Sequence, residues 1–442
     1  MQKRGRSRFP ATALIRAHPH SPRVKTLNSV GIATYMSAAD EMFDPEYMLD
    51  LLRDLIAFRT VAPPGSFYHE IVDYLVPVLN DMGFATKKLV MPAEVFESKC
   101  TDPRLSGDRV NLIADMDLRR PEWLVIYTHL DVVPPGDGWS TDPFSLTIRD
   151  GRAYGRGVSD SKGAVAAMIA ALRGILRERK PKYNLRLLLT TDEEVGGYSG
   201  LCYLADSGMV KGDKMLCMDG FSDDVVIGSN GIITWEVTVN GRAAHSGSSF
   251  LGDNAIEKSL PVIDAILRHK REVEKKSSSL PASSVLRDKG IAHMMPILNI
   301  NVIHGGIKEN IVPDRCVFRG DRRVIPEERM EDAMSELEEI VKRFGSDIDI
   351  RMWPGYPPMR MDPEHPWVLE VKEAVRRATG TEPHLSGTQG SLDQAYATEI
   401  TKIPAAVYGV GRQLESNAHG IDENVSVEDL VSYMRFVGEL LL

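Results

Sequence analysis

The sequence predicts an α/β protein of two domains, the smaller one inserted into the larger. The chain has 442 residues, more than one ordinary core holds at roughly 100 to 200 residues per domain. In the first half, continuous apolar strands alternate with helices, the pattern of a mostly parallel sheet covered on both faces. After Gly231 the order becomes strand, helix, strand, strand, helix, strand, the plan of a ferredoxin-like antiparallel sheet with helices on one face.

From Asp44, the residues Tyr47, Leu51, Leu52, Leu55 and Phe58 recur at three and four positions and predict a helix, which Pro63, Pro64 and Gly65 stop. A second helix is expected from about His69 to Met82. Strands follow at RVNLIADM and EWLVIYTHL, then the Ala-rich helix KGAVAAMIAALRGILRER, then strands at NLRLLLTT and DKMLCMDG. TWEVTVNG alternates as a half-exposed strand. A helix over residues 254–275, strands at PILNINVIHGG and DRCVFRGD, a helix from Glu327 to Phe344 and the strand DIDIRMW complete the insertion. The helix EHPWVLEVKEAVRRAT, the strand IPAAVYGVG and a last helix after Ser426 return to the α/β theme. The expected divisions are residues 1–39, 40–229, 230–357 and 358–442, with hinges near Asn230 and Pro358.

Composition narrows the function classes. Basic side chains number 53 against 62 acidic, a formal charge of −9 that opposes binding to a phosphate backbone, so nucleic acid is a poor partner. No run of about 18 apolar residues exists to span a bilayer. Cys100, Cys202, Cys217 and Cys316 lack CxxC spacing and fit buried thiols in a reducing, cytoplasmic setting. Before Asp40 the chain has seven basic residues and no acidic one. That segment reads as a disordered extension or a start upstream of Met36; a transit peptide is the alternative.

Ionisable residues gather at the carboxyl ends of the predicted strands: His129, Asp131, Glu193, Glu194, Asp219 and His419, with Asp160 before the Ala-rich helix. Open α/β sheets bind ligands there. Two histidines and several carboxylates without cysteine suit a zinc, cobalt or manganese ion in a reactive site rather than a structural zinc.

The segments HLDVVPPGDGW, GRGVSDSKGAVAAMI, TTDEEVGG and AHGIDE, in this order and with the insertion after the third, resemble the two-metal metallopeptidase and deacylase family. It includes acetylornithine deacetylase, succinyl-diaminopimelate desuccinylase, aminoacylase and glutamate carboxypeptidase. The resemblance covers about residues 44 to 442. It implies a metallohydrolase catalytic domain with an inserted lid that also forms a homodimer. By similarity, His129 and Asp219 bind one divalent ion, Glu194 and His419 the other, Asp160 bridges them, and Glu193 is the general base.

Elementary chemistry agrees with these roles. A carboxylate can offer one oxygen to each of two ions, which imidazole cannot do. Asp131, two residues after His129, can accept a hydrogen bond from the far ring nitrogen and orient the ring. Plainer readings stay open: Asp160 as a helix N-cap, Glu193 and Glu194 as acids at a helix start, Asp219 as a turn residue. In the insertion, His245 of GRAAHSG resembles a histidine that polarises the scissile carbonyl from a partner subunit. Asn310 and Arg323 resemble residues that hold a substrate carboxylate, for which Arg offers a planar fork. The adjacent Arg322 leaves that register open. The implied activity is removal of an acyl group from an N-acyl amino acid, with a dipeptidase or carboxypeptidase as the alternative and a non-catalytic relative as the third reading.

Overall fold

The computed structural model describes residues 41–100 and 102–442. The expectations for residues 1–39 lie outside the described residues. Helix Pro45–Ala57 begins where Asp44 accepts a hydrogen bond from the Tyr47 amide and Pro45 occupies the first turn. Its apolar stripe, Met48, Leu52, Leu55 and Ile56, is fully buried. Helix Tyr68–Asp81 follows, near its expected bounds.

The principal sheet has nine strands. Its order is Ala85–Val90, Val110–Met116, Asn184–Thr190, Trp123–His129, Lys214–Cys217, Ala405–Val407, Asp224–Ser229, Met359–Arg360, and His384–Thr388 pairs beside Asp224–Ser229. The four strands from Asn184–Thr190 to Ala405–Val407 are parallel, as their continuous apolar runs predict. Both flanks contain antiparallel pairs. Ala85–Val90, ATKKLV, is an edge strand that no apolar run announces, and its two lysines protect the edge from pairing with another chain.

Helix Lys162–Glu178 is buried over nearly its whole circumference between helices Pro45–Ala57 and Val427–Leu441. Its alanines make that close approach possible, which explains a helix buried on nearly all sides.

The insertion forms its own antiparallel sheet in the order Ile297–Gly305, Arg315–Val324, Gly231–Asn240, Ile348–Pro354. Helices Ala255–Val273 and Met330–Lys342 cover one face and share a core of Trp235, Val237, Ile266, Phe318 and Leu337, apart from the main core. Where the chain enters and leaves this sheet, Gly231 lies so close to Pro358 that an added Cβ would sit 2.7 Å from the proline ring. Cys202, Cys217 and Cys316 are buried free thiols; Cys100 is only half-buried, contrary to expectation, because its short helix Ala93–Lys99 buries no residue. Among the described residues no helix is long and apolar enough to cross a membrane.

Candidate metal centre and active site

The parallel register sets the first half of the site. His129 ends its strand opposite Thr190 of the neighbouring strand. Glu193 and Glu194 follow Thr190 by three and four residues in a single tight turn. Asp219 lies two residues beyond strand Lys214–Cys217, and Asp160 two before helix Lys162–Glu178. His419 arrives on the loop that follows strand Ala405–Val407.

These loops bring six predicted residues into one cluster. His129 Nε2 lies 3.0 Å from Asp160 Oδ1 and 3.9 Å from Asp219 Oδ1. His419 Nε2 lies 3.1 Å from Asp160 Oδ2 and 3.0 Å from Glu194 Oε2. The two oxygens of Asp160 therefore face different histidines. Liganding atoms of His129, Asp160 and Glu194 lie within 4.8 Å of one another, as do those of His129, Glu193 and Asp219, so each trio could hold a cation. Glu194 Oε1 is buried with no hydrogen-bond partner among the described residues, which suits a ligand to a cation. Asp160 is not a helix cap; Ser161 takes that position.

Asp131 does more than orient the histidine, and partly differs from expectation. The His129 ring donates from Nδ1 to the Asp131 carbonyl oxygen at 3.1 Å, with the Asp131 carboxylate 3.4 Å away. That carboxylate instead accepts the backbone N–H groups of Glu193 at 3.2 Å and Glu194 at 3.1 Å. Asp131 thus holds the turn that presents the acid pair. Asp192, just before the pair, adopts a left-handed φ of 69°. Its buried carboxylate is anchored by the Tyr68 hydroxyl at 2.6 Å, by Arg109 at 3.1 Å and by Ser199. Gly197 is required after the pair, because a Cβ there would fall 1.7 Å from the Asp192 carbonyl oxygen.

Electrostatics follow from this crowding. Burial opposes a charge on His129, yet hydrogen bonds to Asp131, Asp160 and Asp219 outweigh it and hold its pKa well above the usual histidine value. Hydrogen bonds to Asp160 and then Glu194 push His419 up to about 10. Burial, reinforced by Asp160, raises Glu194 to about 7. Burial and then Asp219 raise Glu193 well above the carboxylate range. The cation-free site therefore holds protons at neutral pH. Imidazole must be neutral to coordinate a cation, so binding should release protons, and observed affinity should rise about tenfold per pH unit for each proton displaced. Calorimetry in buffers of different ionisation enthalpy measures that release.

The remaining predicted residues lie elsewhere. His245, exposed on a two-residue strand paired with Ile311–Val312, accepts the Gly247 amide on Nδ1 and belongs to neither trio. Asn310 is its neighbour, its carbonyl oxygen accepting the Ser246 amide at 3.0 Å, and its side-chain Oδ1 is buried without a partner among the described residues. Arg322 is fully buried and bound to Glu328 at 2.7 Å, which leaves it no access to a ligand. Arg323 is partly exposed, held by Asp321 at 2.9 Å, and reaches Ser391 of the SGTQGSLDQ segment at 3.0 Å. A cavity of about 140 Å³ opens beside Asp160 and Asp219, walled by Phe221, Val226, Thr388 and Leu392.

Several supporting residues escape a reading by motif. Besides Asp192 and Arg109, Tyr127 donates its hydroxyl to the buried Asp393, whose carboxyl burial lifts to about 7. Arg156 pairs with Glu423 at 2.7 Å, both of them fully buried. A charged residue inside an apolar or glycine-rich stretch is the available signal, and Arg156 in GRG carries it.

Known proteins resemble this chain in sequence and in fold. The chain is 28% identical over 393 residues to succinyl-diaminopimelate desuccinylase of Acidovorax ebreus (strain TPSY), covering 86% of this chain and 93% of that protein. It is 27% identical over 433 residues to N-formyl-4-amino-5-aminomethyl-2-methylpyrimidine deformylase of Bacillus subtilis (strain 168), covering 90% and 94%. The fold matches the M20 family metallo-carboxypeptidase Sso-CP2 of Sulfolobus solfataricus with a TM-score of 0.73 at 20% identity, covering 89% of this chain and 98% of that one. The model of peptidase family M20/M25/M40 matches residues 125–442, which contain all six clustered residues and the inserted sheet. This chain belongs to peptidase family M20/M25/M40.

Proposed function

We propose that the protein is a two-cation amidohydrolase that removes the acyl group from an N-acyl amino acid of the acetylornithine or succinyl-diaminopimelate type. The observation that carries this reading is the division of the Asp160 carboxylate, one oxygen toward His129 and the other toward His419. His129 and Asp219 would hold one ion, Glu194 and His419 the second, and Asp160 both. Bound there, two divalent cations would acidify a water and draw electrons from the amide carbonyl. The nitrogen and oxygen donors suit zinc, with cobalt or manganese as alternatives.

The chain's own groups manage the rest. Glu193, whose carboxylate burial makes a stronger base, takes a proton from the attacking water and returns it to the leaving amine. Asp131 keeps Glu193 and Glu194 in place through their amides. Asn310 and Arg323 would grip the substrate carboxylate when the insertion, spanning 230–357 between catalytic parts 40–229 and 358–442, closes about Asn230 and Pro358. Free thiols fit a cytoplasmic setting.

The test is to strip the protein of metal, reload it with two equivalents of zinc, cobalt or manganese, and rank rates on parallel panels of N-acetyl amino acids, N-succinyl amino acids and dipeptides. Fastest hydrolysis of dipeptides would favour the peptidase reading. No turnover on any panel would favour a binding relative.

Arg323→Ala should raise KM for substrates with a free carboxylate by roughly thirtyfold, the equivalent of about 2 kcal/mol for a lost charge-assisted contact. Substrates amidated at that carboxylate should change little. Equal losses on both would place Arg323 in support of the insertion instead.

A homodimer joined through the insertion would complete the site. Among the described residues, strand Ile297–Gly305 has one unpaired edge, and Val302 and Ile303 on it are 39% and 54% exposed. The partner subunit's His245 would then donate to the substrate carbonyl. Mixing inactive His245→Ala and inactive Glu193→Ala proteins should restore part of the activity after subunit exchange. No recovery despite exchange would confine His245 to its own chain.

A further inference from the structure

We infer that the buried pair Arg156 and Glu423 is a positioning device, holding Asp160 and His419 at the separation that two cations require; this rests on the two-cation reading above. Neither residue touches the reacting groups. Their connections run to the backbones that carry two of the ligands.

Glu423 is the hub. One carboxylate oxygen accepts Arg156 Nη1 at 2.7 Å and the Gly157 amide at 3.0 Å. The other accepts the amides of Ser159 at 2.9 Å and Asp160 at 3.1 Å. Four donors from one loop thus wrap a single carboxylate, and the last is the backbone of Asp160 itself. Such charge-assisted bonds are short and directional, so the loop has little freedom.

Arg156 makes the return connection. Its Nη2 reaches the carbonyl oxygens of Gly420 at 2.9 Å, His419 at 3.3 Å and Pro135 at 3.4 Å. The Trp139 ring covers the guanidinium at 5.2 Å. His419 has a left-handed φ of 63°, and Asn417 and Asp422 on the same loop have φ of 51° and 54°. Residues with a Cβ hold that conformation only when surrounding structure supplies partners. Arg156 supplies them at His419. The Gly155 amide to the Glu423 carbonyl at 3.0 Å and the pairing of strand Asn424–Ser426 with Arg152–Tyr154 extend the same link.

The consequence is a fixed relation between ligands far apart in the chain. Arg156 and Glu423 are separated by 267 positions, one in each part of the catalytic fold. Their loops deliver His419 Nε2 to within 3.1 Å of Asp160 Oδ2. A buried ion pair gives little net stability compared with apolar packing, so the fold alone does not account for one here.

The test uses the full-length protein and the metal ion alone. Glu423→Gln keeps volume and one acceptor but turns an amide NH2 toward backbone donors. Arg156→Lys keeps the charge but loses the fork. Metal-free wild type and both variants are titrated with Co2+, following heat and the visible spectrum, while circular dichroism reports the fold. The wild type should take two ions. Both variants should melt earlier than the wild type, yet be folded at room temperature and bind the ion held by His419 and Glu194 about ten- to a hundredfold more weakly, with an altered Co2+ spectrum. The ion held by His129 and Asp219 should lose less, and kcat should fall with KM nearly unchanged. Wild-type affinity for both ions in either folded variant would overturn the inference, because a purely structural pair lowers stability without moving the ligands. Unfolding of both variants would overturn it as well. A wild type that never takes a second ion would sink the two-cation reading, a result visible in the wild-type arm alone.

Discussion

Glu193→Gln is expected to leave the fold and both ions in place while turnover falls by about a hundredfold to ten-thousandfold, the usual worth of a positioned general base. The amide has the volume of the acid but cannot take a proton. The neighbouring change, Glu194→Gln, should behave differently. Glu194 lies 3.0 Å from His419, and its second oxygen is buried without a partner among the described residues, so its loss should remove an ion together with the activity. Metal content measured beside kcat separates the two residues. The geometry makes this comparison informative, because Glu193 also lies within liganding reach of His129 and Asp219. Loss of an ion from the Glu193 variant would make Glu193 a ligand and remove it from the role of base. Normal turnover with both ions present would remove it from the reaction.

Asp160→Ala is expected to have the larger effect on metal, because one side chain serves both halves of the site. Its oxygens lie 3.0 Å from His129 and 3.1 Å from His419, so no other single substitution in the cluster touches both histidines. Affinity for both ions should fall by more than about a hundredfold, beyond the range for residues that only support a ligand. Activity should disappear at ordinary metal concentrations. The two histidines report the same loss without metal. Their pKa values are raised by hydrogen bonds in which Asp160 takes part, so both should titrate at lower pH in the variant. Histidine titration by nuclear magnetic resonance measures this. An unchanged titration of His419, or a variant that still binds one ion at full affinity, would show that Asp160 does not join the two halves.

How far these residues could be read from the chain depends on the range of the interactions that place them. The central strands were legible because Trp123–His129 and Asn184–Thr190 are continuous apolar runs bounded by polar turns. The helix Lys162–Glu178 was legible from its Ala-rich apolar run, and the inserted strands from their alternation. The strands Ala85–Val90, Asp224–Ser229, Met359–Arg360 and His384–Thr388 were not, since they lie mostly at the sheet's flanks and become strands by pairing with a neighbour. The six clustered residues were legible because each stands in a short motif, five of them near the end of a strand or the start of a helix and His419 on the loop between Ala405–Val407 and Asn424–Ser426. Their supports were not. Arg109 meets Asp192 across 83 positions and Arg156 meets Glu423 across 267, and no local pattern couples such pairs.

By itself, the sequence determined the class of fold, the parallel centre of the sheet and the inserted antiparallel unit, and it named the candidate ligands, all of which follow from local periodicity and residue chemistry. Only the tertiary structure decided how those residues relate. It placed one oxygen of Asp160 before each histidine, turned the Asp131 carboxylate to the amides of Glu193 and Glu194, buried Arg322 and left Arg323 facing the Ser391 segment. The physical reason is that side-chain periodicity is set within a few residues, whereas a buried charge must find its partner wherever the closed fold provides one, because an unpaired charge in the interior is too costly to leave.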